Sequence, residues 1–280
     1  MLKNKTVLIT GASAGIGLHT AIGLAKLGAE VVMVGRDERR TAEAVSLVKA
    51  QTGNPSISYL IADLSSLKEV RKLASEFKSN YQKLDVLLNN AGAIFLRRKT
   101  TVEGYEMTFG LNHLNYFLLT DLLLDMLKAQ PKARVVNVAS NAHYRGHILF
   151  DDLQSEKGFF NGMSVYSNSK LANVLFTHEL ARRLKGTNVT ANCLHPGFVA
   201  SNFALNNGFL VNIFMAFMRH RLTNEQGART SIYLASSPDV EGVSGRYFHY
   251  NMKEKRSSDE SHDESVAKRL WEASEKMVSL

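Results

Sequence analysis

The chain has 280 residues, 45% of them hydrophobic and 21% charged, which suits one α/β domain with a sizeable buried core and excludes a disordered or collagen-like chain. Its formal net charge of +8 would attract anionic surfaces. No basic block with interleaved aromatics occurs, so nucleic acid is not an expected partner, and Arg39-Arg40 and Arg182-Arg183 read as solvated helix faces. The lone Cys193 excludes an internal disulfide and reads as a buried spectator. Together with the lack of a signal peptide or spanning run before the first strand, it sets an expectation of a reduced, cytoplasmic setting.

In chain order, Leu2 to Thr10 reads as an apolar strand. Gly11, Ser13, Ala14, Gly15, Ile16 and Gly17 then form a turn that opens a helix running to Gly28. With a second strand near 30–35 this is a βαβ nucleotide unit, whose glycines let the backbone approach a pyrophosphate at the helix N-terminus. The second strand ends in Gly35-Arg36-Asp37. An acid at that tip would bond the ribose hydroxyls of NAD, whereas Arg36 can take the 2′-phosphate of NADP, so NADP (as NADPH) is favoured over NAD. Asp37, one residue late, is either a ribose ligand or the N-cap of the next helix. Further strands are expected near 57–62, 84–89, 133–139, 188–194 and 245–249, alternating with helices that include 104–129 and 164–185. Continuous apolar strands in such alternation give a parallel sheet covered on both faces with right-handed crossovers. No linker, internal repeat or low-complexity block interrupts it.

Tyr166 and Lys170 are four apart on the second of those long helices, so their side chains share one face. A phenol of pKa about 10 is a poor base near neutrality unless a cation stabilises its phenolate, and Lys170 is spaced to do so. Farther on, Phe203 to Met218 is strongly apolar and ends in Arg219-His220-Arg221. It reads as a lid over a greasy substrate, as a lid that also touches a membrane, or as an ordinary buried helix. Lys253 to Glu260 reads as a mobile charged loop, and Glu264 to Met277 as a helix docked on the body.

Taken with Asn89-Asn90-Ala91-Gly92, the Tyr166/Lys170 pair and the glycine turn, the chain resembles the short-chain dehydrogenase/reductases over nearly its whole length. The resemblance implies a single Rossmann-type domain over 1–280, a doubly wound parallel sheet of about seven strands with helices on both faces. Residues 1–130 would mainly bind cofactor, and 131–280 would carry catalysis and substrate, with a lid at about 201–222. It implies a catalytic group of Asn112, Ser140, Tyr166 and Lys170, with Asn112 holding a water and Lys170 also bonding the nicotinamide ribose. It further implies cofactor contacts from Asp63 and Leu64 to the adenine end, from Asn90, Ala91 and Gly92, and from Pro196, Gly197, Val199 and Ser201 near the nicotinamide. Ser201 stands where many relatives have Thr. No metal is expected. In the family the two long helices commonly form the contact of a homodimer or homotetramer, although their apolar stripes could equally cover the sheet.

The segment between Ser140 and Tyr166 is longer than usual for the family. Its Phe150-Asp151-Asp152-Leu153, with Leu111-Asn112-His113-Leu114, Ser169-Lys170-Leu171-Ala172-Asn173 and Arg269-Leu270-Trp271-Glu272, resembles the retinol dehydrogenase-like branch. Members of that branch interconvert retinoids and other lipophilic aldehydes and alcohols, and many carry an N-terminal membrane anchor, which is not expected here. The resulting expectation is an NADP-dependent oxidoreductase for a lipophilic small molecule, with a peripheral membrane contact through the lid. Its alternatives are a steroid or polyketide-type ketone reductase and a non-catalytic NADP-sensing protein. His143, in the inserted segment, either lines the site or is a structural histidine bonded to backbone.

Overall fold

A computed structural model of the chain describes residues 2–199 and 222–279, so Ser201 and the apolar stretch from Phe203 to Met218 lie outside the described residues. The strands are β1 Thr6–Thr10, β2 Glu30–Gly35, β3 Ile57–Ile61, β4 Val86–Asn89, β5 Ala133–Val138, β6 Val189–Leu194 and β7 Tyr247–Phe248. They form one sheet in the order β3-β2-β1-β4-β5-β6-β7, with every pairing parallel. Successive strand residues serve opposite cores, as the two-residue pleat requires. Val7, Ile9, Val31 and Met33 face one cluster, and Leu8, Val32 and Val34 face the other.

Helices α1 Gly15–Lys26 and α2 Glu38–Thr52 feed Ala21, Leu24, Val45 and Val48 into the first cluster. Helix α3 Leu67–Asn80 belongs to the second. There, Met107–Phe109 (α4) leads through a π-helical turn, Gly110–Leu114, into α5 Asn115–Lys128, where the sequence suggested one unbroken helix. The Asn115 N–H reaches back to Gly110 O across that turn. A π turn frees backbone groups from the helical ladder, and such turns concentrate at functional sites. Helix α6 is Gly162–Arg183 and α7 is Asn224–Ser236.

The last helix, α8 Glu264–Val278, lies across α5 and α6. Its Trp271 ring sits 4.8 Å from Phe117 and 5.7 Å from Phe176, and the Arg183 guanidinium is 4.2 Å above it. The apolar face shared by α5 and α6 therefore carries the chain's own final helix. The stretch read as a mobile charged loop is instead docked: Lys255 N–H donates to Tyr247 O, Tyr144 Oη to Arg256 O at 2.5 Å, and Ser257 and Ser261 are buried. Its charged side chains face solvent while its backbone is bonded to the body, a division that composition does not reveal. Among the described residues, no helix is long and apolar enough to cross a membrane.

Candidate active site

The strand order reverses between β1 and β4, so a crevice opens beyond their carboxyl ends. Thr10 Oγ1, at the end of β1, accepts from Asn90 N at 2.8 Å and Ala91 N at 3.0 Å. The Asn90 side chain returns the tie by donating to Thr10 O and Gly11 O. The turn above them needs glycine: Gly11 and Gly15 have φ of 64° and 59°, and a Cβ on Gly17 would lie 2.4 Å from Gly11 O. Side chains cap the N-termini of α2, α3, α6, α7 and α8, but none caps α1 at Ala14, and its first turn carries no acid. Ser13, Ala14, Gly15 and Ile16 thus present uncapped amides with the positive end of a helix behind them, a set that fits a pyrophosphate.

Arg36 is exposed at the tip of β2. Asp37 caps α2, its carboxylate accepting from Arg40 N at 2.8 Å, as the second of the two readings of this residue expects. At the end of the adjacent β3, Asp63 is exposed and accepts from Ser65 N and Oγ, while Leu64 is buried. Beyond β6, Pro196 is buried and Gly197 has φ of 88°. A Cβ there would press 2.3 Å from Leu222 Cδ1, and Val199 bridges to Leu222. Ser201 follows outside the described residues.

Tyr166 and Lys170 meet on the buried face of α6. The Lys170 ammonium, 4% exposed, donates to Val138 O at 3.0 Å and lies 5.7 Å from the Tyr166 ring centroid. Burial lowers the lysine to a pKa of about 7. Burial also pushes the Tyr166 phenol up to about 12, with a hydrogen bond from the Ser140 side chain opposing it. The phenol therefore holds its proton at neutral pH, the state needed to protonate a carbonyl oxygen. Ser140 follows β5, and its Oγ accepts from Ala142 N at 3.2 Å, which leaves its O–H to donate.

Asn112 sits in the π turn, fully buried. Its Oδ1 accepts from Ala93 N at 2.9 Å, and its Nδ2 donates to Ala93 O at 3.0 Å and Ser169 Oγ at 2.9 Å. Both amide hydrogens are spent, so only acceptor capacity remains. A Cβ on Gly92 would lie 3.0 Å from Asn112 Oδ1 and 3.5 Å from Lys170 Nζ, so Gly92 is the contact between them. The Asn112 carbonyl accepts from Asn173 Nδ2 at 2.9 Å. Asn173 Oδ1 faces His113 Nδ1 at 3.4 Å, and His113 Nε2 meets Ser274 Oγ of α8 at 2.8 Å.

Sequence reasoning has Ser169 and Asn173 only as marks of the branch, with no role in the site, and does not single out Tyr116. The first two flank Lys170 on a helix whose buried face is unusually polar, a signal available in the run Ser167 to Asn173. Tyr116 is wholly buried, its ring centroid 6.0 Å from Lys170 Nζ, and its hydroxyl has no hydrogen-bond partner among the described residues. His143 is also wholly buried and bonded to backbone rather than lining the crevice. A groove of about 700 Å³, lined in part by Arg134, His178 and Arg182, lies at the opposite end of the sheet and shares none of this chemistry. Among the described residues, no group of three His, Cys, Asp or Glu could hold a metal ion.

Comparison with known proteins adds relatives to this geometry. The short chain dehydrogenase family matches residues 5–208. Retinol dehydrogenase 14 of Homo sapiens is 46% identical over 300 residues, spanning 100% of this chain and 88% of its own. The crystal structure of an uncharacterized protein from Mycobacterium Paratuberculosis is similar at a TM-score of 0.82 and 33% identity, covering 99% of this chain and 94% of that one. The Pseudomonas aeruginosa RhlG/NADP active-site complex has a TM-score of 0.70 at 27% identity, covering 89% and 95%.

Proposed function

The chain belongs to the short-chain dehydrogenase family and is an oxidoreductase acting on alcohols, and from that premise we propose that it uses NADP to interconvert the hydroxyl and carbonyl of a lipophilic substrate. The observation that carries the proposal is the pairing of half-buried Tyr166, hydrogen-bonded to Ser140, with buried Lys170, which lies against Gly92. NADPH bound along that turn supplies a hydride, and NADP accepts one. Tyr166 gives the carbonyl oxygen a proton in reduction and takes the hydroxyl proton in oxidation. Lys170, poised near neutrality by burial, stabilises the phenolate and bonds the nicotinamide ribose. The Ser140 O–H fixes the substrate oxygen. Asn112 offers only acceptors inward, which suits a water passing protons to Lys170.

NADP is favoured because Arg36 stands exposed at the β2 tip while Asp37 is engaged as a cap. The RhlG complex, a structural relative, holds NADP. A lipophilic substrate is supported by the relatives named for retinol, a lipophilic alcohol. Leu96 and Met163 also point this way, exposed where Gly162 packs on the Phe95 and Leu96 backbone one turn before Tyr166. The proposal includes a cytoplasmic chain touching a membrane peripherally, for which the net charge of +8 is suited. Arg36→Ala tests it: loss of a charge-assisted bond should weaken NADPH by about 1.5–3 kcal/mol, roughly ten- to 150-fold, and leave NADH nearly unchanged. Fluorescence titration with both cofactors reads this out, and equal losses would refute the NADP assignment. Across a series of straight-chain aldehydes kcat/KM should climb, by up to about 0.8 kcal/mol per methylene, until the pocket fills. A flat series would refute the lipophilic substrate.

A further inference from the structure

His143 lies three residues beyond Ser140, wholly buried between Tyr144 and Tyr247, whose ring centroids are 4.1 and 4.7 Å from its own. Its Nδ1 is 2.6 Å from Ser140 O, which also accepts from the His143 backbone N–H at 3.1 Å. On the other side, Ser258 N–H points at its Nε2 across 3.2 Å. A carbonyl oxygen only accepts and a peptide N–H only donates. The hydrogen must therefore sit on Nδ1 and not on Nε2, and two backbone partners fix a single neutral tautomer.

Ser258 belongs to a segment held in place by other contacts. His147 Nδ1 pairs with Glu260 Oε2 at 2.9 Å, His178 Nδ1 with Ser261 O at 2.8 Å, and Tyr144 Oη donates to Arg256 O. One imidazole thus joins the peptide that carries Ser140 to a docked segment 115 residues later in the chain.

We propose that His143 is a positioning residue for the reaction: as a neutral imidazole braced by the Ser258 amide it holds the Ser140 peptide at the height where its hydroxyl meets the substrate oxygen, and protonation in acid breaks that brace and lets the ring and the peptide bonded to it shift. The proposal rests on the role given to Ser140 above. A proton on Nε2 would set two donors head to head, with no acceptor between them. Tyr247 of β7, Lys255 beyond it, His178 of α6, His195 after β6 and the adjoining Tyr144 surround the ring. None is a carboxylate that could take up the charge. Burial pushes the ring down to about 4, the Ser140 carbonyl opposes this, and His178 and Lys255 add to it.

Ser258→Pro is the sharpest probe, because it deletes the amide hydrogen at a residue whose φ of −58° already suits proline. Removing that donor disfavours the neutral ring, so the acid limb of kcat should move to higher pH by about one unit, measured with NADPH and the best aldehyde of the length series. His143→Phe should lower kcat roughly tenfold or more while KM for NADPH stays within about twofold, and His143→Asn, which keeps an N–H toward Ser140 O, should recover most of it. Coincident acid limbs for wild type and Ser258→Pro would overturn the proposal. So would equal kcat losses in the two His143 variants at matched melting temperature. Ser140→Ala separates the causes of failure. If it retains wild-type turnover, the role of Ser140 falls and the proposal with it. If Ser140→Ala is inactive while His143→Phe turns over normally, only the positioning role falls.

Discussion

Acidification should unfold this protein through histidines that it holds neutral, and His113 gives the cleanest case. Its ring is wholly buried in the π turn, with Nε2 on Ser274 and Nδ1 facing Asn173, and burial lowers its pKa to about 4. The unfolded chain takes up that proton near pH 6.5, while the folded chain resists until about 4. The stabilisation is therefore complete above pH 6.5 and is lost as pH falls toward 4. Each unit of difference corresponds to about 1.4 kcal/mol, so between pH 7 and 4.5 the loss from this one ring is on the order of 2 kcal/mol. That is a large part of a typical total of about 5–15 kcal/mol. The assay is urea unfolding followed by circular dichroism across this range, on wild type and His113→Phe. The substitution keeps a ring against Phe109 and Phe176 but cannot titrate. Its baseline should be lower by about 1–3 kcal/mol, because Ser274 and Asn173 lose a partner. Its stability should nonetheless fall less steeply with acid. The other buried histidines, His143 and His195 among them, titrate in both chains and cancel in the difference. Parallel curves for the two proteins would refute the argument.

Tyr166→Phe removes only the hydroxyl and should lower turnover by orders of magnitude with NADPH affinity nearly intact; turnover close to wild type would dismiss the proton-transfer role. Gly17→Ala puts a methyl 2.4 Å from a backbone oxygen of the cofactor turn, so calorimetry should find NADPH binding weakened and the melting temperature lowered, and no change in either would contradict the geometry of the turn. Tyr116→Phe deletes a buried hydroxyl without a partner among the described residues, and thermal unfolding should show stability unchanged or raised by up to about 1 kcal/mol. A clear loss of stability would mean that the hydroxyl is bonded.

The parallel sheet and the nucleotide turn were legible because β1 and β2 are unbroken apolar runs and the glycine turn is local to them, whereas the strand order comes from the structure alone. Tyr166 and Lys170 were legible for the same reason, as one helical turn fixes their relation. What the sequence left open at Asp37 was a matter of one residue of register, and its carboxylate bonded to Arg40 N shows the capping role. The π turn left no trace in the apolar spacing of 104–129, because it shifts the phase of the helix without changing which residues are apolar. Asn173 and Ser258 were invisible as neighbours of Asn112 and His143, since they lie 61 and 115 positions away and meet them only after the sheet has closed. Lys253 to Glu260 misled because charge reports the fate of side chains and not of peptide groups.

Helix α8 covers Phe117 and Phe176, which lie far earlier in the chain. During synthesis the sheet and both long helices can assemble while that aromatic face stays bare, and the cover arrives only after residues 264–278 have been made. A chain stopped short of Glu264 would keep most of its fold and still offer this apolar face to other molecules. Protein truncated or nicked before Glu264 should therefore come out of expression self-associated.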